Sequence, residues 1–184
     1  MDKIQETARH DKPDSYPNTK AHKITLPTGE VALVDITDAY LVGQYRWHRG
    51  GTGNRYVAAS TPKGEPPLYL HRLIKAPGPA ELVDHIDGNP LNNRRSNLRI
   101  VTPSQNAANL TETKNQTGFR GVAMYGPRRF RAMLEHHGAV FRGPSRRTAK
   151  QAAQDFDMMA RGIFGEFASF NFPRQGERGV RRMQ

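Results

Sequence analysis

Between Leu82 and Asn109 the chain reads LVDHIDGNPLNNRRSNLRIVTPSQNAAN, and no other stretch constrains the fold as strongly. Asparagine is poor in helix and strand interiors but forms turns readily and bonds the backbone through its side chain. Asn89, Asn92, Asn93, Asn97, Asn106 and Asn109 therefore mark positions where a side-chain amide is wanted. Leu82-Val83 opens a short strand that ends at Asp84-His85. Asp87-Gly88-Asn89-Pro90 then forces a turn, since Gly and Asn accept positive φ and Pro keeps the residue before it out of a helix. Leu98 to Val101 supplies a second strand. Thr102-Pro103-Ser104-Gln105 has the form of a helix start, with a hydroxyl cap, Pro at the first helical position and Gln completing a capping box, which places Asn106 in the first turns.

What surrounds this stretch is thin in apolar residues. With 184 residues and 36% hydrophobic content, the chain has material for one medium domain or two small ones. Residues 1–22 are polar, hold two prolines and read as a loose tail. Ile24 and Leu26, the turn Pro27-Thr28-Gly29, then Val31, Leu33 and Val34 read as two short strands. Asp35 to Gln44 suits a short helix capped at Thr37 or Asp38. Trp47, the strand-like run Arg55 to Ser60 and the segment from Leu68 to Ile74 complete a small β-rich scaffold in which Trp47, Tyr56 and Tyr69 are core or cross-strand aromatics.

Brought together, Asp84, His85, Asn97 and Asn106 contain what hydrolysis of a phosphodiester requires. Asp84 with Asn106 offers hard oxygen ligands suited to Mg²⁺ or Mn²⁺. His85 can take a proton from water at neutral pH, and the carbonyl of Asn97 is a candidate to fix its tautomer. The set Asp84-His85, Asp87-Gly88-Asn89, Asn92-Asn93, Asn97-Leu98-Arg99, Val101-Thr102, Asn106 and Asn109 resembles the HNH (ββα-metal) nucleases, in particular the homing endonucleases of phages and introns. That resemblance implies His85 as general base, Asn97 as its orienting partner, and Asp84 with Asn106 as metal ligands. Leu70-His71-Arg72-Leu73-Ile74 is similar to the family's lead-in. His71 reads as structural there, with a phosphate contact as the rival.

Charge separates the last third from the rest. Residues 113–184 hold 14 Lys/Arg against 5 Asp/Glu, a net of +9 out of +11 for the whole chain, which points to a polyanionic partner. After a polar linker at 111–116, Gly118 to Val122, Phe130 to Leu134 and Val140 to Gly143 read as three antiparallel strands. Phe130, Ala132 and Leu134 alternate with Arg129, Arg131 and Met133, so one face is apolar and the other basic. Thr148 caps a helix on which Ala149, Ala152, Ala153, Phe156, Met159, Ala160 and Ile163 fall at helical spacing, and Gly165 ends it. The basic face, with Arg120, Arg129, Arg131 and nearby Arg128 and Arg142, suits a DNA groove. From Thr117 to Pro173 the chain resembles the plant ethylene-response (APETALA-type) DNA-binding domain through Gly118-Phe119-Arg120-Gly121-Val122, Arg131-Ala132, the Ala-rich helix and Asn171-Phe172-Pro173. Ala123 and Tyr125 stand where plant members commonly place arginines, so no target sequence transfers. The segment 174–184 reads as a disordered basic tail.

The expectation is an α+β protein: an HNH domain over 23–110 with its ββα core near 81–110, a linker at 111–116, and a DNA-binding domain over 117–173. Its function would be metal-dependent hydrolysis of double-stranded DNA, nicking or cutting at a site selected by the C-terminal domain. The alternative is a DNA-binding regulator with an inactive nuclease centre. RNA binding lacks the exposed aromatics that single-strand stacking needs. The absence of Cys excludes disulfides and a thiolate nucleophile. With no apolar run near the roughly 20 residues of a membrane span, a soluble, cytoplasmic monomer or weak dimer is expected, with no membrane and no obligatory protein partner.

Overall fold

The computed structural model describes residues 20–109, 112–113 and 115–182. They fall into two compact units, Met1–Val101 and Thr102–Gln184. The mixture of short helices and small sheets is α+β. The expected amino-terminal tail lies outside the described residues up to residue 19, but its end is not loose, because the first strand already begins at Ala21.

In the first unit β1 (Ala21–Thr25) and β2 (Val31–Asp35) form an antiparallel hairpin, Ala21 opposite Asp35. Gly29 takes the positive φ of +83° that its turn needs. A single 3₁₀ turn leads into α1 (Ala39–Val42). Asp38 stands at its N-cap without bonding the helix, since its carboxylate is engaged elsewhere. β3 (Trp47–Gly50), β4 (Tyr56–Ala59) and β5 (Leu68–Tyr69) make an antiparallel sheet with β4 central. α2 (Leu70–Lys75) follows at once, and Leu70 and Ile74, four apart and so on one face, enter the core. There they meet Leu26, Val34, Val42, Trp47 and Val57. The indole nitrogen of Trp47 donates to the Val42 carbonyl at 2.8 Å, which satisfies the polar atom of a buried ring. β6 (Leu82–His85) and β7 (Leu98–Val101) pair antiparallel as expected, Asp84 opposite Arg99 and His85 opposite Leu98.

The second unit begins with α3 (Pro103–Ala108). Its capping box is complete: Thr102 Oγ1 accepts from the Gln105 backbone and Gln105 Oε1 accepts from the Thr102 backbone. The sequence places this helix with the nuclease, yet the division falls before it. Its last carbonyls, at Ala107 and Ala108, accept hydrogen bonds from the Arg120 guanidinium. After β8 (Glu112–Thr113) come β9 (Val122–Gly126), β10 (Arg129–His136) and β11 (Ala139–Arg142), an antiparallel sheet with β10 central. The first of these strands starts where the expected one ends, because Gly118 and Gly121, both at φ +66°, turn the chain before it can extend. α4 (Ala149–Phe164) packs Ala152, Ala153, Phe156 and Ala160 on the sheet, as its spacing predicts. Thr148 caps it by accepting from the Gln151 backbone. Two buried carboxylates interrupt the stripe. Asp155 binds Arg146, and Asp157 accepts from the backbone of Asn171 and Phe172.

Within the expected linker and tail, the described strands are paired. β12 (Ser169–Phe170) pairs with β13 (Arg178–Gly179), and β14 (Arg181–Arg182) pairs with β8. Arg161 and Glu177 form a two-point ion pair that pulls the Glu177 carboxyl down to about 2. Among the described residues no helix is long and apolar enough to cross a membrane.

Candidate active site

The loop between β6 and β7 is built from polar groups most of which satisfy one another; Asn92 Oδ1 is buried without a partner among the described residues. Asp87 organises it: Oδ1 accepts from the Asn89 backbone at 2.7 Å and from the Asn97 amide at 2.9 Å, and Oδ2 accepts from the Asn92 amide at 2.8 Å. Bonds of this kind stabilise a tight turn. Asn97 closes the ring. Its Oδ1 accepts from the Asp87 backbone at 3.0 Å and its second amide hydrogen goes to the Asn92 carbonyl at 2.7 Å.

The loop is then stitched to the hairpin. Leu33 donates to the Leu91 carbonyl at 2.8 Å, and the Asn93 backbone donates to the Leu33 carbonyl at 2.7 Å. Arg94 binds Asp35 at 3.0 Å and Arg95 grips Asp38 at 2.7 Å, with both carboxylates buried. A buried carboxylate is tolerable only when paired, so these arginines fix the loop's place on β2.

This scaffold holds His85, buried at the end of β6. Its Nε2 lies 3.2 Å from Oδ1 of Asn93, a side chain with no solvent exposure at all. The Asn93 amide nitrogen donates to the Pro90 carbonyl at 3.0 Å, which fixes the direction of the amide and turns its oxygen to the ring. An accepting oxygen there keeps the proton on Nε2 and the lone pair on Nδ1. The family resemblance implies this orienting role for Asn97. Its amide is instead consumed by Asp87 and Asn92, one turn away, and Asn93 supplies the carbonyl.

An aromatic wall backs the ring. Tyr56 stacks on His85 with centroids 6.4 Å apart, and His71 meets it edge-on at 5.3 Å while contacting Tyr56 and Tyr69. His71 is buried, its Nδ1 has no hydrogen-bond partner among the described residues, and burial above all, helped by His85 and Arg72, pushes its pKa down to about 3. His71 is thus an enclosed ring of the aromatic wall.

Asp84 is half-buried opposite Arg99, whose Nε and Nη2 both reach its Oδ2 at 2.9 Å. Asn106 lies in the second unit, on α3, with its backbone bonded to Thr102. Among the described residues no three His, Asp or Glu side chains gather into a cage that could hold a metal by themselves.

Of the expected basic residues, Arg128, Arg129 and Arg142 are exposed, and Arg131 lies half-buried with its guanidinium 4.9 Å above the Tyr125 ring. Arg120 is the exception. Besides bonding Ala107 and Ala108 it lies 5.7 Å from the centre of the Phe156 ring, and burial lowers its pKa to about 10. It holds the second unit together and is not part of the exposed face.

The HNH endonuclease family profile matches residues 69–108, which covers α2, β6, the asparagine loop, β7 and α3. An uncharacterized HNH endonuclease of Acanthamoeba polyphaga mimivirus is 34% identical over 149 residues, spanning 78% of this chain and 75% of that protein. Protein 3.8 of Escherichia phage T7 is 45% identical over 42 residues, 22% of this chain and 35% of that protein. No solved structure matches. The chain belongs to the HNH endonuclease family.

Proposed function

We propose that this chain is a metal-dependent DNA endonuclease of the homing type that nicks or cuts double-stranded DNA, with the second unit selecting the site. The reading is carried by one arrangement: a buried imidazole whose tautomer is set by Asn93 and, behind it, by the Pro90 carbonyl. In this reading Nδ1 of His85 takes the proton of a water attacking phosphorus, the bond to the 3′ oxygen breaks, and Asn97 keeps the loop in shape through Asp87. Asp84 is the carboxylate beside the base, and Asn106 is the second ligand by family resemblance. Two hard oxygen donors suit Mg²⁺ or Mn²⁺, ions that habitually keep water and phosphate in their remaining positions. Such an ion would polarise the scissile phosphate and stabilise the departing oxygen. Site selection by the second unit rests on the exposed Arg129 and Arg142, on the half-buried Arg131 beside them and on the likeness to ethylene-response domains.

Supercoiled plasmid with Mg²⁺ should become nicked or linear, and EDTA should stop the reaction. His85→Ala should slow it roughly 10²- to 10⁴-fold while still shifting DNA on a gel. A wild type that shifts DNA but leaves it intact with Mg²⁺ and Mn²⁺ across candidate sites would establish the alternative, a DNA-binding regulator with an inert centre.

A further inference from the structure

We propose that the concave corner between the β9–β10 turn and the segment entering α4 is a seat for backbone phosphates of DNA, adjoining the outer face of the sheet, with which it shares Arg129. It rests on the reading of the second unit as a DNA binder. A cleft of about 990 Å³ opens there, and its lining includes Arg128, Arg129, Ser145, Arg146 and Arg147. Two backbone hydrogen bonds build it. Phe130 donates to the Arg146 carbonyl at 2.9 Å and Arg146 donates to the Phe130 carbonyl at 2.8 Å, so two segments distant in sequence are fixed side by side.

The arginines then divide their work. Arg146 turns to buried Asp155, with two contacts at 2.6 and 2.8 Å, and its charge is neutralised. Arg128, Arg129 and Arg147 stay exposed, and among the described residues none of them pairs with a carboxylate. Arg128 adopts φ +52°, where Gly or Asn would be easier, so a guanidinium stands at the turn despite the backbone. Three like charges around one concavity repel, and a multivalent anion relieves that repulsion.

The chemistry favours a phosphodiester. Guanidinium forks match phosphate oxygens two at a time. The nearby hydroxyls are already engaged, Ser145 with Tyr125 and Thr148 with the Gln151 backbone. Asp155, the carboxylate that could read a ribose, is bound to Arg146. What remains recognises charge and shape, which positions a duplex without reading its bases.

The test uses the full chain carrying His85→Ala, to prevent cutting, and a labelled duplex followed by anisotropy across a salt series. Adding Arg128→Ala and Arg147→Ala should lower the salt slope by about 2, since each lost phosphate contact removes about 0.9, and should weaken binding equally for every sequence. Circular dichroism on the same samples checks that the fold is kept, and Arg128→Lys with Arg147→Lys should restore most of the loss. Arg131→Ala is measured in parallel. Loss with Arg131→Ala but none with the double variant overturns the corner alone; no loss with either overturns DNA binding by this unit as well. A thermal shift with millimolar inorganic phosphate or ATP supplies the last arm. Stabilisation of the wild type but not the double variant, with duplex binding unchanged, would make the corner a small-anion pocket and overturn the proposal.

Discussion

The asparagine loop and the arginine-bearing sheet are both polar, yet they use polarity in opposite ways. In the loop, buried Asn93 and Asn97 and exposed Asp87 bond chiefly to one another: Asp87 takes three hydrogen bonds, Asn97 gives or takes three, and Asn93 joins Pro90 to His85. On the sheet the polar groups point outward from an apolar layer, and Arg128, Arg129 and Arg142 are exposed. A network of interlocked hydrogen bonds rigidifies the atoms it holds but weakens when one member is lost. Exposed charges act through a summed field, so each can be lost at modest cost. On the proposed reading, catalysis would use the first property and backbone binding only the second.

That contrast can be broken experimentally. The largest effect should come from shape in the second unit. A Cβ on Gly121, at φ +66°, would stand 2.0 Å from the Phe156 ring, so Gly121→Ala should cost about 3 kcal/mol or more in denaturant unfolding followed by circular dichroism. A cost below about 1 kcal/mol would mean that the layer repacks freely and is not the rigid support assumed here.

Acid should be nearly as severe for the first unit. The His71 ring stays neutral in the fold down to about pH 3, whereas the unfolded ring takes a proton near its ordinary 6.5. The unfolded state therefore binds more protons between these values, and the stability contributed by the neutral ring declines as pH falls from 6.5 towards 3. The loss should reach about 3 kcal/mol at pH 4, read from Trp47 fluorescence. His71→Phe should flatten that dependence; an unchanged pH profile would show that burial of His71 is not maintained in solution.

A smaller effect on stability, with a larger one on rate, is expected at Asn93. Removing its amide strands the Pro90 carbonyl and the His85 nitrogen, so Asn93→Ala should cost about 2 kcal/mol. Plasmid cleavage should fall roughly tenfold or more through kcat, because the base loses its tautomer, with KM little changed. Asn97→Ala with an equal kcat defect and an intact fold would return the orienting role to that residue.

Much of this molecule follows from residue order. The β1–β2 turn, the β6–β7 pair, the capping box of α3 and the buried stripe of α4 rest on signals within about twenty residues: turn formers, period-two alternation, a hydroxyl three positions before Gln, and apolar positions three and four apart. The choice between Asn93 and Asn97 could not be made that way. Both stand in the same asparagine-rich loop at distances compatible with His85, and the decision came from Leu33, sixty residues upstream, whose carbonyl holds the Asn93 backbone in place. Arg120 illustrates the same limit. It stands in a pattern of outward arginines, but the carbonyl ends of α3 needed a donor, and neither the need nor the distance is written locally.

Residue order alone therefore determined which segments turn, extend or coil, that an acid and an imidazole stand adjacent at a strand end, and that positive charge gathers in the last third. Tertiary structure decided which amide serves the imidazole, which carboxylates are buried and paired, and which arginines remain free to meet a polyanion. The reason is physical: turns, caps and periodicity are short-range steric and hydrogen-bonding effects. Satisfying a buried polar atom depends on whichever partner the folded chain brings within 3 Å, however far away it lies in sequence.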